Sequence, residues 1–282
     1  MNTTFRFVSL GLVLFLSSLA AQAQDIWSGN SVSFSKVAFS DPTDPANQDR
    51  LTPQTSLTRG STRGLFNIQL EPSFSSLSPS NTEWAFDLAG NGNTGLAIVA
   101  SNFAALTFEA WTPAVNNNPP GSVGIPGVVH LILEDIYVDI MFTSWGIGGG
   151  GGGSFAYVRG APSASQSVRN SGSNPGSLSA SNAVLGSSFT ASVDLSTSGH
   201  ALAILVLYTA QANIVLGGGQ VMLVGGSLVT NMGMQTGPTA NFSAMVPSNT
   251  ALLGMPFSAQ AVHWAGVRPF ALSNAVDLVF GL

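Results

Sequence analysis

Side chains that alternate apolar and polar with a period of two recur along this chain, and few folds accept that pattern. Trp84, Phe86 and Leu88 alternate with Glu83, Ala85 and Asp87. Phe189, Ala191, Val193 and Leu195 alternate with Thr190, Ser192 and Asp194. Leu65–Leu70 and Val276–Phe280 repeat the arrangement, with Phe66, Ile68 and Leu70 expected inward and Asn67 and Gln69 outward. Successive side chains of a strand point to opposite faces, so each such run reads as a half-buried strand. Turn clusters punctuate the runs: Asn91-Gly92-Asn93, Asn116–Pro120, Gly217–Gly219 and Gly225-Gly226. No amphipathic helix is visible after the leader. The predicted fold class is all-β, with two β-sandwich-like domains of the jelly-roll or immunoglobulin-like kind.

The first residues read as an address. Arg6 precedes an apolar core, Phe7–Leu19, and Ala21-Gln22-Ala23 supplies a small-x-small cleavage signal. Residues 1–23 are therefore expected to be a secretory signal peptide cleaved before Gln24. The most apolar run beyond it, Ala201–Tyr208, is of strand length, so no transmembrane segment is expected in the mature chain. A secreted location follows: extracellular, periplasmic or cell-surface.

Composition excludes several chemistries. With 8 basic against 13 acidic residues and a single lysine, Lys36, the chain has no basic cluster for nucleic acid. It has no cysteine, which removes thiol catalysis, iron–sulfur clusters, cysteine zinc sites and any disulfide framework. Charged residues are 7% of the sequence, so Ser, Thr, Asn and Gln must build the polar surface. An apolar content of 45% supports a packed core.

Residues 162–182 (PSASQSVRNSGSNPGSLSASN) are almost free of large apolar side chains and read as a flexible linker. They divide a predicted N-terminal sandwich, residues 24–161, from a C-terminal module, residues 183–282. From Ala183 onward only Asp194, Arg268 and Asp277 are charged, the composition of a scaffold.

Ordered blocks in the N-terminal half carry a resemblance: Asn47–Thr52, Leu57–Gly60, Gly64–Asn67, Thr82–Ala85, Val129–Ile132, Asp135–Tyr137, Phe142–Gly146, then six glycines and Phe155–Arg159. Together they resemble an uncharacterised family of secreted bacterial β-rich proteins. Gly186–Thr190, Leu252–Gly254, Phe257–Ala261 and Ser273–Ala275 are similar to a recurrent C-terminal module of secreted bacterial proteins. That similarity implies an accessory or surface-presentation role. Neither resemblance supplies catalytic residues.

Candidate sites follow from residue chemistry. Asp41, Asp44, Asn47 and Asp49 offer hard oxygen ligands on one proline-stiffened loop, a composition that suits calcium, although the spacing is not that of an EF-hand. No other cofactor is implied. Trp111 and Trp145 stand beside loops and are expected as exposed platforms for sugar rings, whereas Trp84 falls on an apolar face. If Leu131–Trp145 is one strand, Glu134 points away from Asp135, while Asp135 and Asp139 share a face ~13 Å apart, too far to share one calcium ion. His130 is read as structural and equally distant from Glu134. The run Gly148–Gly153 lacks the Lys-Ser/Thr and helix of a phosphate loop and reads as a mobile connection.

The first functional reading is a non-catalytic structural or interaction protein with an unknown extracellular protein or polysaccharide as partner. The second is a polysaccharide-binding module, calcium-assisted, using Trp111, Trp145 and the Asp41–Asp49 loop. The third is a glycan hydrolase or lyase assembled from Glu83, Glu109, Glu134 or Asp135 on different strands.

Overall fold

A computed structural model describes residues 24–170, 172–196, 198–264 and 270–282. The expected leader, residues 1–23, lies outside the described residues. The chain is all-β, and among the described residues no helix is long and apolar enough to cross a membrane.

The N-terminal half holds β1 (Asp25–Trp27), β2 (Ser31–Lys36), β3 (Asp49–Arg50), β4 (Ser56–Arg59), β5 (Leu65–Asn67), β6 (Thr82–Phe86), β7 (Pro126–Leu131), β8 (Ile136–Trp145) and β9 (Phe155–Gly160). One sheet runs β2-β9-β8-β7-β6, with β1 added in parallel to β8; a smaller one runs β3-β4-β5. Leu57 and Leu65 of the small sheet share a core with Trp84, Phe86, Val129 and Phe142 of the large one. Trp84 and Phe86 thus face inward as their alternation predicts. Leu65–Leu70 departs from its pattern: Asn67 is fully buried and Leu70 is 47% exposed. The reason is local bonding. The Asn67 amide accepts from the Ser56 N–H and donates to the Gln54 and Ser80 carbonyls, so a polar residue fastens three segments inside the fold.

The run through Glu134 is not one strand. β7 ends at Leu131 and β8 begins at Ile136, and the two pair antiparallel across the turn between them. Asp135 takes a left-handed backbone there, with φ 53°. This hairpin overturns the single-strand geometry: residues on either side of the turn, such as His130 and Tyr137, are folded back on each other.

The C-terminal half holds β10 (Ser165–Arg169), β11 (Leu178–Ala180), β12 (Ser188–Asp194), β13 (Leu202–Val215), β14 (Val221–Thr236), β15 (Thr239–Met245), β16 (Pro256–Trp264) and β17 (Ala271–Val279). A sheet β10-β17-β16-β13-β14 packs on a sheet β11-β12-β15. Phe189, Ala191 and Val193 from one meet Leu205, Leu207, Phe257, Ala259, Val276 and Leu278 from the other.

Residues 162–182 do not form a featureless linker. β10 pairs with β17 along its whole length and β11 pairs with β12. Backbone bonds need no apolar side chain, and β10 sits exposed at a sheet edge. The amides of this segment do the fastening. Asn174 bonds both the N–H and the carbonyl of Val221, and Asn274 from β17 does the same for Leu178.

The halves meet where the Asn30 side chain donates to the Leu282 carbonyl at 2.8 Å. Val32 and Ala161 belong to the core of the C-terminal half. Gly254 lies against the Trp27 ring.

Candidate functional site

The cross-strand register on the outer face of the large sheet aligns Glu83 on β6, His130 on β7 and Tyr137 on β8. Directly opposed residues project to one face with Cβ atoms ~5 Å apart, so the three side chains meet. His130 Nδ1 lies 2.8 Å from Glu83 Oε1 and its Nε2 lies 3.1 Å from Asp135 Oδ1. Asp135 gets there because the hairpin turn carries it back over β7. Each ring nitrogen of His130 thus faces one carboxylate. Tyr137 stacks on the ring at 4.1 Å with planes 1° apart, and Phe108 meets it edge-on. Burial, then the charges of Asp135 and Glu83, raises the Tyr137 hydroxyl above its ordinary pKa. The imidazole is therefore clamped by two carboxylates in its plane and stacked on an aromatic face. Glu83 and Asp135 remain about a third exposed, but His130 itself is buried.

The other two expected carboxylates are elsewhere. Glu134 accepts from the Thr52 hydroxyl and from Asn81 Nδ2, the latter at 2.9 Å, tying the hairpin to two loops. Glu109 contributes backbone, bridging Trp84 in both directions at 2.7 and 2.9 Å. Of the four, only Glu83 and Asp135 share a partner.

The calcium loop folds into self-satisfied turns. Asp41 accepts from the N–H and hydroxyl of Thr43, Asp44 caps the turn Pro45–Asn47 through Ala46 N, and Asn47 Nδ2 donates to the Asp41 carbonyl. Asp49 turns the opposite way, into the protein. Its carboxylate accepts from Arg159 Nε at 2.6 Å, Arg159 Nη2 at 2.9 Å and the Tyr157 hydroxyl at 2.7 Å. Asp41 and Asp44 are exposed while Asp49 is buried, so the four do not face one point. Among the described residues no three His, Cys, Asp or Glu side chains gather as a metal-ligating group.

The aromatic platforms are also displaced. Trp111 opens a single helical turn, Trp111–Ala114, and is 1% exposed among Trp84, Phe86 and Phe142. A short helix between strands tips its first side chain into the sheet, which strand alternation cannot register. Trp145 is half-buried: Trp111, Phe142 and Phe155 pack around it and the Arg59 guanidinium lies 3.9 Å over its ring. Arg59 also donates to the Gly146 and Ser154 carbonyls, and burial lowers its pKa to about 10.

The glycine run is exposed over Gly148–Gly150 and packed at its end. Gly152 and Gly153 are buried against Ala38-Phe39 and Gly60. An inter-half cleft of about 530 Å³ is walled by Trp27, Leu51, Ile136, Leu253 and Met255, with Arg50 and Glu134 among its polar groups.

The cluster around His130 left one readable trace in the sequence. Glu134-Asp135 interrupts two apolar runs, Val128–Leu133 and Ile136–Ile140, as a hairpin turn does. Its partners come from register, which no local pattern specifies. No protein-family profile, no curated protein and no solved structure matches this chain.

Proposed function

We propose that this chain is an exported, non-catalytic structural or interaction protein. The leader-like residues 1–23 and the resemblance to secreted bacterial β-rich proteins support export. One observation carries the non-catalytic reading. Every carboxylate side chain except those of Asp87 and Glu109 accepts a hydrogen bond that fastens the fold. Asp139, for example, caps the Ala100 N–H, and Asp277 holds Arg169 and Ser258. A catalytic carboxylate must reach a reacting atom with an oxygen at hydrogen-bond distance. Here at least one oxygen of each of these carboxylates is already engaged with the chain itself.

A second reading has its own support. Trp264 and Phe270 are 48% and 49% exposed, and continuing the β16–β17 register from His263↔Ala271 sets them opposite each other. The sugar-stacking role expected of Trp111 and Trp145 fits this pair instead.

A glycan array probed with the secreted chain, with and without calcium, tests both. The first reading expects no reproducible glycan and no cleavage product. Hits lost on Trp264→Ala would replace it with the second. Turnover lost on Glu83→Gln would replace it with an enzyme.

A further inference from the structure

The cleft between the halves joins apolar walls to an uncommitted cation. Ile136 on β8 lines one side. Met255, just before β16, and Val279, at the end of β17, line the other, and none of the three is buried. Backbone bonds fix this second wall: the Gly254 N–H donates to the Phe280 carbonyl at 2.9 Å, and the Phe280 N–H donates to the Met255 carbonyl at 3.1 Å. Arg50 reaches the cleft by strand alternation. Asp49 turns inward to Arg159, so the next side chain on β3 points the other way. Among the described residues the Arg50 guanidinium makes no hydrogen bond, ion pair or ring contact. The acidic groups of the cleft differ. Each Asp25 oxygen accepts a bond, one from the Ile26 N–H and one from Trp27 Nε1, and each Glu134 oxygen accepts one from Thr52 or Asn81. The five N–H donors of Arg50 are the capacity left unmet.

We propose that this cleft binds an aliphatic carboxylate of medium chain length, its headgroup paired with the Arg50 guanidinium and its hydrocarbon chain laid along Ile136, Met255 and Val279. The guanidinium fork meets a carboxylate through two parallel bonds. A volume of about 530 Å³ falls within the ~300–1,000 Å³ of small-ligand sites, which favour domain interfaces, apolar walls and few polar groups. Trp27 also lines the cleft but is only 2% exposed, so the walls offer aliphatic side chains rather than a platform for a sugar ring. Asp25 and Glu134 lie in the same cleft, so an anion is held by direct pairing with Arg50 and not by a general positive field. The inference is independent of the proposed function.

Sodium decanoate titrated calorimetrically into the purified chain, with the melting temperature followed in parallel, tests it. The expected result is saturation at one equivalent and a rising melting temperature, as for any ligand of the folded state alone. Octanoate, two methylenes shorter, binds about four- to sixteenfold more weakly. Arg50→Gln, at an exposed position, weakens decanoate binding about tenfold or more through loss of charge-assisted bonds. Met255→Asp weakens it as well, by setting a like charge on the apolar wall. Arg63→Gln, an exposed arginine outside the cleft, leaves it unchanged. No saturable heat at millimolar decanoate, or a melting temperature that falls, overturns the proposal. Decylammonium binding as tightly as decanoate overturns it too, by handing the cleft to Asp25 and Glu134. So does an Arg50→Gln variant that keeps the parent's affinity.

Discussion

Replacing Asp49 with alanine removes the one carboxylate that, among the described residues, bonds the water-sealed Arg159 guanidinium. The Arg159 side chain is 0% exposed and that of Asp49 is 6% exposed. After the change Arg159 keeps one bond, from Nη1 to the Gly160 carbonyl at 3.0 Å, and the Tyr157 hydroxyl loses its acceptor. Burial alone would lower the Arg159 pKa; the Asp49 charge and bonds outweigh it and raise it. Stranding a buried charge costs about 3–5 kcal/mol. At ~2–4 °C per kcal/mol for a chain of this size, the melting temperature should fall by roughly 10 °C. Replacing both partners tells a different story, because no charge remains to be desolvated. Asp49→Leu with Arg159→Met should lie within about 1–2 kcal/mol of the parent. Urea unfolding followed by circular dichroism measures all three proteins. Millimolar calcium should leave the parent's midpoint in place, since both Asp49 oxygens are already bonded. An Asp49→Ala cost below ~1 kcal/mol, or single costs that simply add in the double variant, would falsify the buried-pair account.

Acid should weaken the C-terminal half through His263. Its folded pKa of about 4 lies below the ~6.5 of an unfolded histidine, so the stability it confers is present above pH ~6.5 and drains as pH falls toward 4, about 3 kcal/mol in all; a His263→Asn variant that folds should show a flatter acid limb. Alkali should act through Tyr157, whose hydroxyl burial and then Asp49 hold well above its ordinary value. Stability from that group is full below pH ~10 and declines above it, so the parent's alkaline slope should exceed that of Tyr157→Phe in a pH series of unfolding midpoints. Gly153→Ala should cost about 2–4 kcal/mol, because φ is +70° and a new Cβ would meet the Gly60 carbonyl at 2.0 Å; Gly150→Ala, with nothing within 4 Å, should be near neutral by thermal shift. Trp111→Ala should cost about 3–5 kcal/mol as a core truncation, and a glycan-binding loss without destabilisation would contradict its burial.

The strands were legible where one face meets a core. Phe189, Ala191, Val193 and Leu195 all reach the sandwich interior as their alternation demands, because an out-of-register strand would bury Thr190 and Asp194 instead. Legibility failed where polar groups, not apolar ones, hold the chain. Asn67, Asn174 and Asn274 are buried because each closes backbone bonds from distant segments, and an amide spacing carries no periodicity to read. The same failure hid β10 and β11 inside a serine-rich stretch. It also misplaced Trp111, whose single helical turn resets the face that strand counting assigns. The outer-face cluster was invisible for a related reason: Glu83, His130 and Tyr137 meet through pairing register, a property of strands together rather than of any one strand. A chain with 7% charged residues can afford few stray ionisable groups. Once neutral amides make the surface, each charge inside must be met by a partner or the fold bears its full desolvation. Asp49 meets that constraint through Arg159 and Tyr157, whereas Asp41, Asp44 and Asp194 keep their charges at the surface. Among the described residues the unmet nitrogen of His263 stands out against that rule.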